Sequence, residues 1–232
     1  VREKCVFTTH TPVDAAFDKF SYDLVLEVMG SPIPLGVLKR FGGEDRLNMT
    51  LLALNLSKYI NGVAESHRKF SNQIFPGYHI STITNGIHSY TWTCESFRKL
   101  YDRYILGWAH EPMLLARASM IPDDELWQAH MEAKAELVDF VKRQTGIELS
   151  PDILTLGFAR RATAYKRASL ILTDLERLRR ISRRGMVQIL FAGKAHPRDE
   201  AGKQLITEIH GKMAELGKSL KVVYLENYGM GM

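Results

Sequence analysis

Three short apolar runs, residues 153–158, 187–192 and 220–225, alternate with segments whose apolar residues recur at helical spacing, and this alternation constrains the fold more than any other feature. The first helical segment places Ile171, Leu175, Leu178 and Ile181 on one face, with Glu176, Arg177, Arg179 and Arg180 on the other. The second carries Leu205, Ile209, Met213 and Leu216 on one face. Buried strands separated by amphipathic helices specify an α/β fold with a parallel, doubly wound sheet. Right-handed crossovers then bring the loops after all three strands to one sheet edge, the place where such folds bind ligands. That edge gathers Arg160, Arg161, Lys166, Lys194, His196, Asn227 and Tyr228.

The loop after the first of these strands is dense in charge, with Arg160, Arg161, Lys166 and Arg167 following directly on the apolar run. Arginine offers a planar fork to phosphate oxygens and lysine a mobile point charge, so the mixture suits a site that holds a reacting anion. No glycine-rich cradle accompanies it, so neither a P-loop nor a dinucleotide fingerprint is present, and side chains must do the gripping. A solvated basic helix start would explain the run in isolation but not its convergence with Lys194 and His196. The further run Arg177, Arg179, Arg180, Arg183 and Arg184 falls toward a helix carboxy terminus, where cations meet the helix dipole and water.

Composition narrows the function classes. A net charge of +5, with 31 basic against 26 acidic residues, demands no nucleic-acid partner. The two cysteines, Cys5 and Cys94, lack metal-ligand spacing and fit a reducing compartment, so no metal is expected. No apolar run is long enough to span a bilayer, and cytoplasmic residence without a membrane partner is the expectation. With 232 residues and 45% hydrophobic content the chain can bury a substantial core. It opens without Met on a strand-like segment and closes just after a strand, which reads as an internal piece of a longer protein.

Upstream, an acidic start at Asp123, Asp124 and Glu125 predicts a helix continuing to Gly146, with Leu137, Val138 and Val141 inside. A helix is expected over residues 48–59, meeting Asn61-Gly62 as a turn or cap, and another over residues 65–74. Residues 81–88 read as a short strand entering a sharp turn. On their local chemistry alone Asn85 is a turn residue and His10 a hydrogen-bonded strand end.

Taken in order, Thr8-Thr9-His10-Thr11-Pro12-Val13, Ile60-Asn61-Gly62-Val63 with His67, Ile83-Thr84-Asn85-Gly86-Ile87-His88 with Trp92, Gly157-Phe158-Ala159-Arg160-Arg161 with Tyr165-Lys166-Arg167-Ala168, Phe191-Ala192-Gly193-Lys194-Ala195-His196-Pro197 and Leu225-Glu226-Asn227-Tyr228 are similar to blocks of one family. Through these, spread over nearly its whole length, the chain resembles the α-glucan phosphorylases that act on glycogen, starch and maltodextrin. The resemblance implies a two-lobed GT-B-type glycosyltransferase fold of paired Rossmann-like domains, with residues 1–84 belonging to the late part of the first lobe and 85–232 opening the second. It implies pyridoxal phosphate as cofactor, α-glucan and inorganic phosphate as partners, and reversible phosphorolysis of terminal α-1,4-linked glucose to glucose 1-phosphate. It leaves a homo-oligomer open.

Residue by residue, the resemblance makes His10 and Asn85 contacts to the transferred glucose, and Trp92 and Tyr228 part of the cofactor pocket. Arg160 is similar to a residue beside the cofactor phosphate, Arg161 to the substrate-phosphate ligand, and Lys166 to the cation near both anions. The chain departs from the family at Ala162, where a larger apolar residue is usual. The lysine that forms the cofactor Schiff base is expected beyond Tyr228 and is not in this sequence, so the chain alone is expected to be inactive. Two other readings stand beside this one: a nucleotide-sugar-dependent glycosyltransferase of the same fold, with Arg161 and Lys166 facing a diphosphate, and a non-catalytic glucan-binding module.

Overall fold

A computed structural model describes residues 2–11, 13, 17–217 and 220–226. The chain divides into two compact units, residues 1–88 and 89–232. Asn227 and Tyr228 lie outside the described residues.

In the first unit β1 (Val6–Thr9), β4 (Tyr59–Gly62) and β5 (Ser81–Thr82) form a parallel sheet in the order β1-β4-β5. A small antiparallel pair, β2 (Lys19–Phe20) with β3 (Leu47–Asn48), and helices α1 (Tyr22–Met29), α2 (Leu35–Gly42), α3 (Met49–Leu56) and α4 (Glu65–Ile74) complete this unit. Leu54, Ile60, Phe75 and Ile80 form a core under the parallel sheet, and Tyr22, Val25, Leu38 and Leu47 form a second one. Helix α4 has the bounds that its sequence predicts.

Two expectations fail here. The helix anticipated over residues 48–59 is capped by Asn48, whose side chain accepts from the amides of Thr50 (2.9 Å) and Leu51 (3.2 Å), but it ends at Leu56. Backbone pairing wins beyond that point, because the Lys58 amide bonds the Cys5 carbonyl at 3.0 Å and draws the chain into β4. Asn61-Gly62 is the end of this strand and not a turn. Asn61 pairs with Thr8 and Gly62 with Thr9, and the buried Asn61 side chain accepts from Thr8 Oγ1 at 3.1 Å. Glycine is required at 62 because a Cβ there would stand 2.3 Å from Nδ1 of His67.

In the second unit α5 (Glu95–Tyr104) packs on α6 (Asp123–Thr145) around the fully buried Trp108, and Arg103 grips Glu125 through two hydrogen bonds of 2.7 and 3.2 Å. Helix α6 ends where Gly146 takes a left-handed conformation, φ 71°, and supplies the cap. Strands β6 (Leu154–Ala159), β7 (Val187–Ala192) and β8 (Lys221–Leu225) form a parallel sheet in the order β6-β7-β8, joined by α7 (Leu175–Arg184) and α8 (Glu200–Leu216).

Alternation along β7 sorts its side chains between two cores. Ile189 and Phe191 pack with Leu178, Ile209 and Leu216 of α7 and α8, whereas Leu190 and Ala192 pack with Val141 of α6. Helices therefore cover both faces of this sheet. The buried Gln188 is fully satisfied, donating to Ser150 O and Thr155 Oγ1, both at 2.7 Å, and accepting from the Ser150 amide at 3.1 Å. Among the described residues β6 pairs with β7 alone, and its Leu154 is 60% exposed.

The helix after β6 starts later than its apolar spacing predicts. Ile171 belongs to a 3-10 turn, Ala168–Leu172, whose Ala168 and Leu172 are buried, and Asp174 then caps α7 by accepting from the Arg177 amide at 2.8 Å. The arginines at 183 and 184 form its last turn, as anticipated. No helix among the described residues is long and apolar enough to cross a membrane, and no group of three or more His, Cys, Asp or Glu there could hold a metal ion.

Candidate functional site

The parallel order of β6 and β7 sets their exit loops side by side, and the hydrogen-bond ladder continues past the strands. The Arg160 amide donates to Ala192 O at 3.0 Å and the Ala162 amide to Lys194 O at 3.2 Å, while the Gly193 amide reaches Leu225 O at 3.1 Å. The fit at Gly193 is close: a Cβ there would lie 2.3 Å from the Arg160 carbonyl oxygen. Tyr224 completes the clamp by donating its hydroxyl to Gly193 O at 3.1 Å. Burial, reinforced by Glu226, pushes the Tyr224 phenol above its ordinary range, so it remains a donor.

Past Arg161 the loop coils tightly, with amide bonds from Thr163 to Arg161 O, Lys166 to Thr163 O and Arg167 to Ala164 O. Arg167 then adopts φ 54°, the one left-handed non-glycine backbone among the described residues. That conformation costs about 1–3 kcal/mol and turns the chain into the buried Ala168–Leu172 segment, which holds it in place. Ala162 is buried, and the start of α8 crowds its carbonyl so closely that a Cβ on Gly202 would come within 2.5 Å. A smaller side chain at 162 thus sits in a tightly packed corner.

Arg160, Arg161, Lys166 and Lys194 are all exposed at this edge. The Lys166 ammonium stands 4.8 Å from the centre of the Tyr165 ring. Among the described residues none of these four cations has a carboxylate partner. Elsewhere basic side chains are paired, as in Arg68 with Glu65, Lys142 with Glu148 and Lys203 with Glu200. Positive charge left uncompensated at adjoining backbone-fixed loops is the electrostatic form of an anion site. His196 is tied locally, its Nδ1 accepting from the Arg198 amide at 3.2 Å.

The first unit brings two further candidates to a single sheet edge. His10 directly follows Thr9 of β1, and the Asn85 amide bonds Val63 O at 3.1 Å just beyond β4. Both side chains are exposed. Trp92, in the second unit, is 68% exposed within the turn closed by Thr93 Oγ1 on Ser89 O, and no described contact joins it to Arg160, Arg161 or Lys166.

His67 has no counterpart among the side chains singled out on chemistry alone. It is buried, and burial followed by the nearby His10 pushes its pKa below the ordinary histidine range. The only signal in the sequence is its place after Asn61-Gly62. A folded-state pKa below the unfolded value means that the unfolded chain binds the proton more readily, so stability rises with pH across that interval and is lost on acidification. The melting midpoint of the chain is accordingly expected to fall as pH drops below about 6.5, where unfolded histidine protonates, and His67→Phe should flatten that segment of the curve. An unchanged slope in the variant would assign the acid sensitivity elsewhere.

A sequence model of the carbohydrate phosphorylase family matches residues 37–232. A maltodextrin phosphorylase of Thermococcus litoralis is 39% identical over 100% of this chain and 32% of its own length. Glycogen phosphorylases of Aquifex aeolicus and Mycobacterium tuberculosis are 32% and 30% identical, over 98% and 100% of the chain and 39% and 32% of their own lengths. The chain spans roughly a third of the length of these curated relatives.

Proposed function

This chain belongs to the carbohydrate phosphorylase family, and from that premise we propose that the full-length protein transfers terminal α-1,4-linked glucose from an α-glucan to inorganic phosphate, releasing glucose 1-phosphate. The observation that carries the reading is the set of cations, Arg160, Arg161, Lys166 and Lys194, that have no carboxylate partner among the described residues and stand on two loops joined by backbone hydrogen bonds. In this reading residues 1–84 belong to the first lobe of a GT-B-type fold and 85–232 to the second, and the chain by itself is inactive.

The donor chemistry fits a phosphate-bearing cofactor. Arg160 and Lys166, with Trp92 and Tyr228, would hold pyridoxal phosphate, which when bound supplies a phosphate able to exchange a proton with the substrate phosphate. The chain's own side chains bind and orient. Arg161 presents its fork to the inorganic phosphate, and Lys166 lowers the repulsion between two anions that must lie close together. Held on a loop tied by backbone hydrogen bonds, these charges contribute both positioning and electrostatic stabilisation. His10 and Asn85 hold hydroxyls of the glucosyl unit. No pair of catalytic carboxylates of the glycosidase kind is needed, since phosphate performs the acid and base work.

The test is phosphate-dependent release of glucose 1-phosphate by the full-length protein from maltodextrin or glycogen. Turnover that requires a nucleotide sugar, or glucan binding without turnover, would sink the reading. Within that assay His10→Ala and Asn85→Ala are each expected to reduce kcat/KM for glucan at least about tenfold, the loss of roughly one hydrogen bond to the substrate. Their melting midpoints should stay within a few degrees of wild type, because both side chains are exposed. A variant that melts much lower yet keeps its specific activity would return that residue to a structural role.

A further inference from the structure

A half-buried phenol beside the anion edge is left idle by the reading above. Tyr224 stands on the face of β8 that packs with Phe158, Phe191 and Ile209, and its ring stacks on Phe191 at 6.4 Å between centres and meets His210 at 4.8 Å. Phenylalanines fill neighbouring positions of this core, so packing alone asks for no hydroxyl there. Burial keeps the phenol protonated, and a polar group taken out of water needs a partner. That partner is the Gly193 carbonyl, 3.1 Å away.

Both polar groups of Gly193 are thereby tied to β8, the carbonyl by Tyr224 and the amide by Leu225 O at 3.1 Å. Lys194 follows directly, and its own carbonyl accepts from the Ala162 amide at 3.2 Å, while Ala192 O accepts from the Arg160 amide at 3.0 Å. The would-be Cβ at 193, 2.3 Å from the Arg160 carbonyl oxygen, shows how closely the two loops meet at this glycine. A relay of bonds so runs from the Tyr224 hydroxyl to both cation-bearing loops.

We propose that Tyr224 is a positioning residue for phosphate, its hydroxyl holding the Gly193 peptide so that Lys194, Arg160 and Arg161 converge on one anion. The proposal rests on the reading of these cations as a phosphate site. Like charges on adjoining loops repel, and the tie at Gly193 opposes their separation before an anion arrives. A neutral donor suits the task, since it adds no charge to the edge and a tyrosine hydroxyl does not titrate near neutral pH.

In the full-length protein, Tyr224→Phe keeps the ring and removes only the hydroxyl. It is expected to raise KM for phosphate about threefold to tenfold, the effect of one lost hydrogen bond, while KM for glucan stays at its wild-type value. Val222→Ala is the control for general loosening, because Val222 packs against the same core from the same face of β8 but pairs with Ile189, further from the loops. It should lower the melting midpoint and leave KM for phosphate unchanged. In a Lys194→Ala background the loss from Tyr224→Phe should be smaller than in wild type, because the hydroxyl acts partly through Lys194. An unchanged KM for phosphate in Tyr224→Phe, an equal rise in Val222→Ala, or losses that add in the double variant would overturn the proposal. Should the wild-type protein show no phosphorolysis, the functional reading fails by itself, and binding of inorganic phosphate, measured by calorimetry on the same protein, decides this one. Tyr224→Phe is expected to weaken that binding by the same factor, and equal affinities, or a wild-type protein that binds no phosphate, would refute the role.

Discussion

Replacing Arg161 by alanine in the full-length protein is expected to cut phosphate-dependent release of glucose 1-phosphate by about two to three orders of magnitude, with cofactor content and melting midpoint near wild type. The size follows from removing one preorganised charge-assisted contact in a closed site, roughly 3–4 kcal/mol of transition-state stabilisation. Stability should be spared because the side chain is exposed and pairs with no carboxylate among the described residues. Arg161→Lys should recover only a fraction, since a point charge cannot reproduce the two-pronged fork. Steady-state rates at limiting phosphate decide the matter: near-normal activity there would remove Arg161 from the site.

Gly193→Ala should damage both the fold of the second unit and its anion edge. The added Cβ would stand 2.3 Å from the Arg160 carbonyl oxygen, and a backbone atom in a continuing ladder cannot swing aside as a flexible side chain would. Separating the two loops is expected to cost about 1–3 kcal/mol of stability and to displace Arg160 and Arg161 together. Gly211→Ala provides the internal control. It lies within α8 with open space around its would-be Cβ, so the same substitution there should stabilise by roughly 0.5–1 kcal/mol through helix propensity. Denaturant melts of both variants, alongside phosphorolysis assays, check the pair, and equal effects at the two glycines would mean that the close approach at 193 is unimportant.

The parts of the architecture governed by local periodicity are legible in the sequence. Strands β6, β7 and β8, the bounds of α4 and the end of α6 at Gly146 all follow from residues within a turn or two of each other. Adjacency of the Arg160 and Lys194 loops followed from the parallel strand order. The misreadings arose where a distant partner overrode a local signal. Asn61-Gly62 has turn chemistry, but β1, far away in sequence, supplies ladder bonds and His67 fills the glycine's empty side, so the pair ends a strand. Ile171 fits a helix face, yet the cap at Asp174 and the left-handed Arg167 confine it to a 3-10 turn. The burial of His67 was invisible for the same reason, because nothing within its own helix marks that face as the one packed on β4.

The free edge of β6 has a consequence for how the chain behaves in concentrated solution. Among the described residues this six-residue strand is bonded on one side only, and Leu154 offers apolar surface there. Such an edge templates strands from other molecules, so the lifetime of a monodisperse sample is governed by encounters between chains and shortens as concentration rises. Net charge slows those encounters, and added salt, by screening it, should hasten them. Leu154→Lys, which puts a charge on that uncovered side, is therefore expected to slow the association.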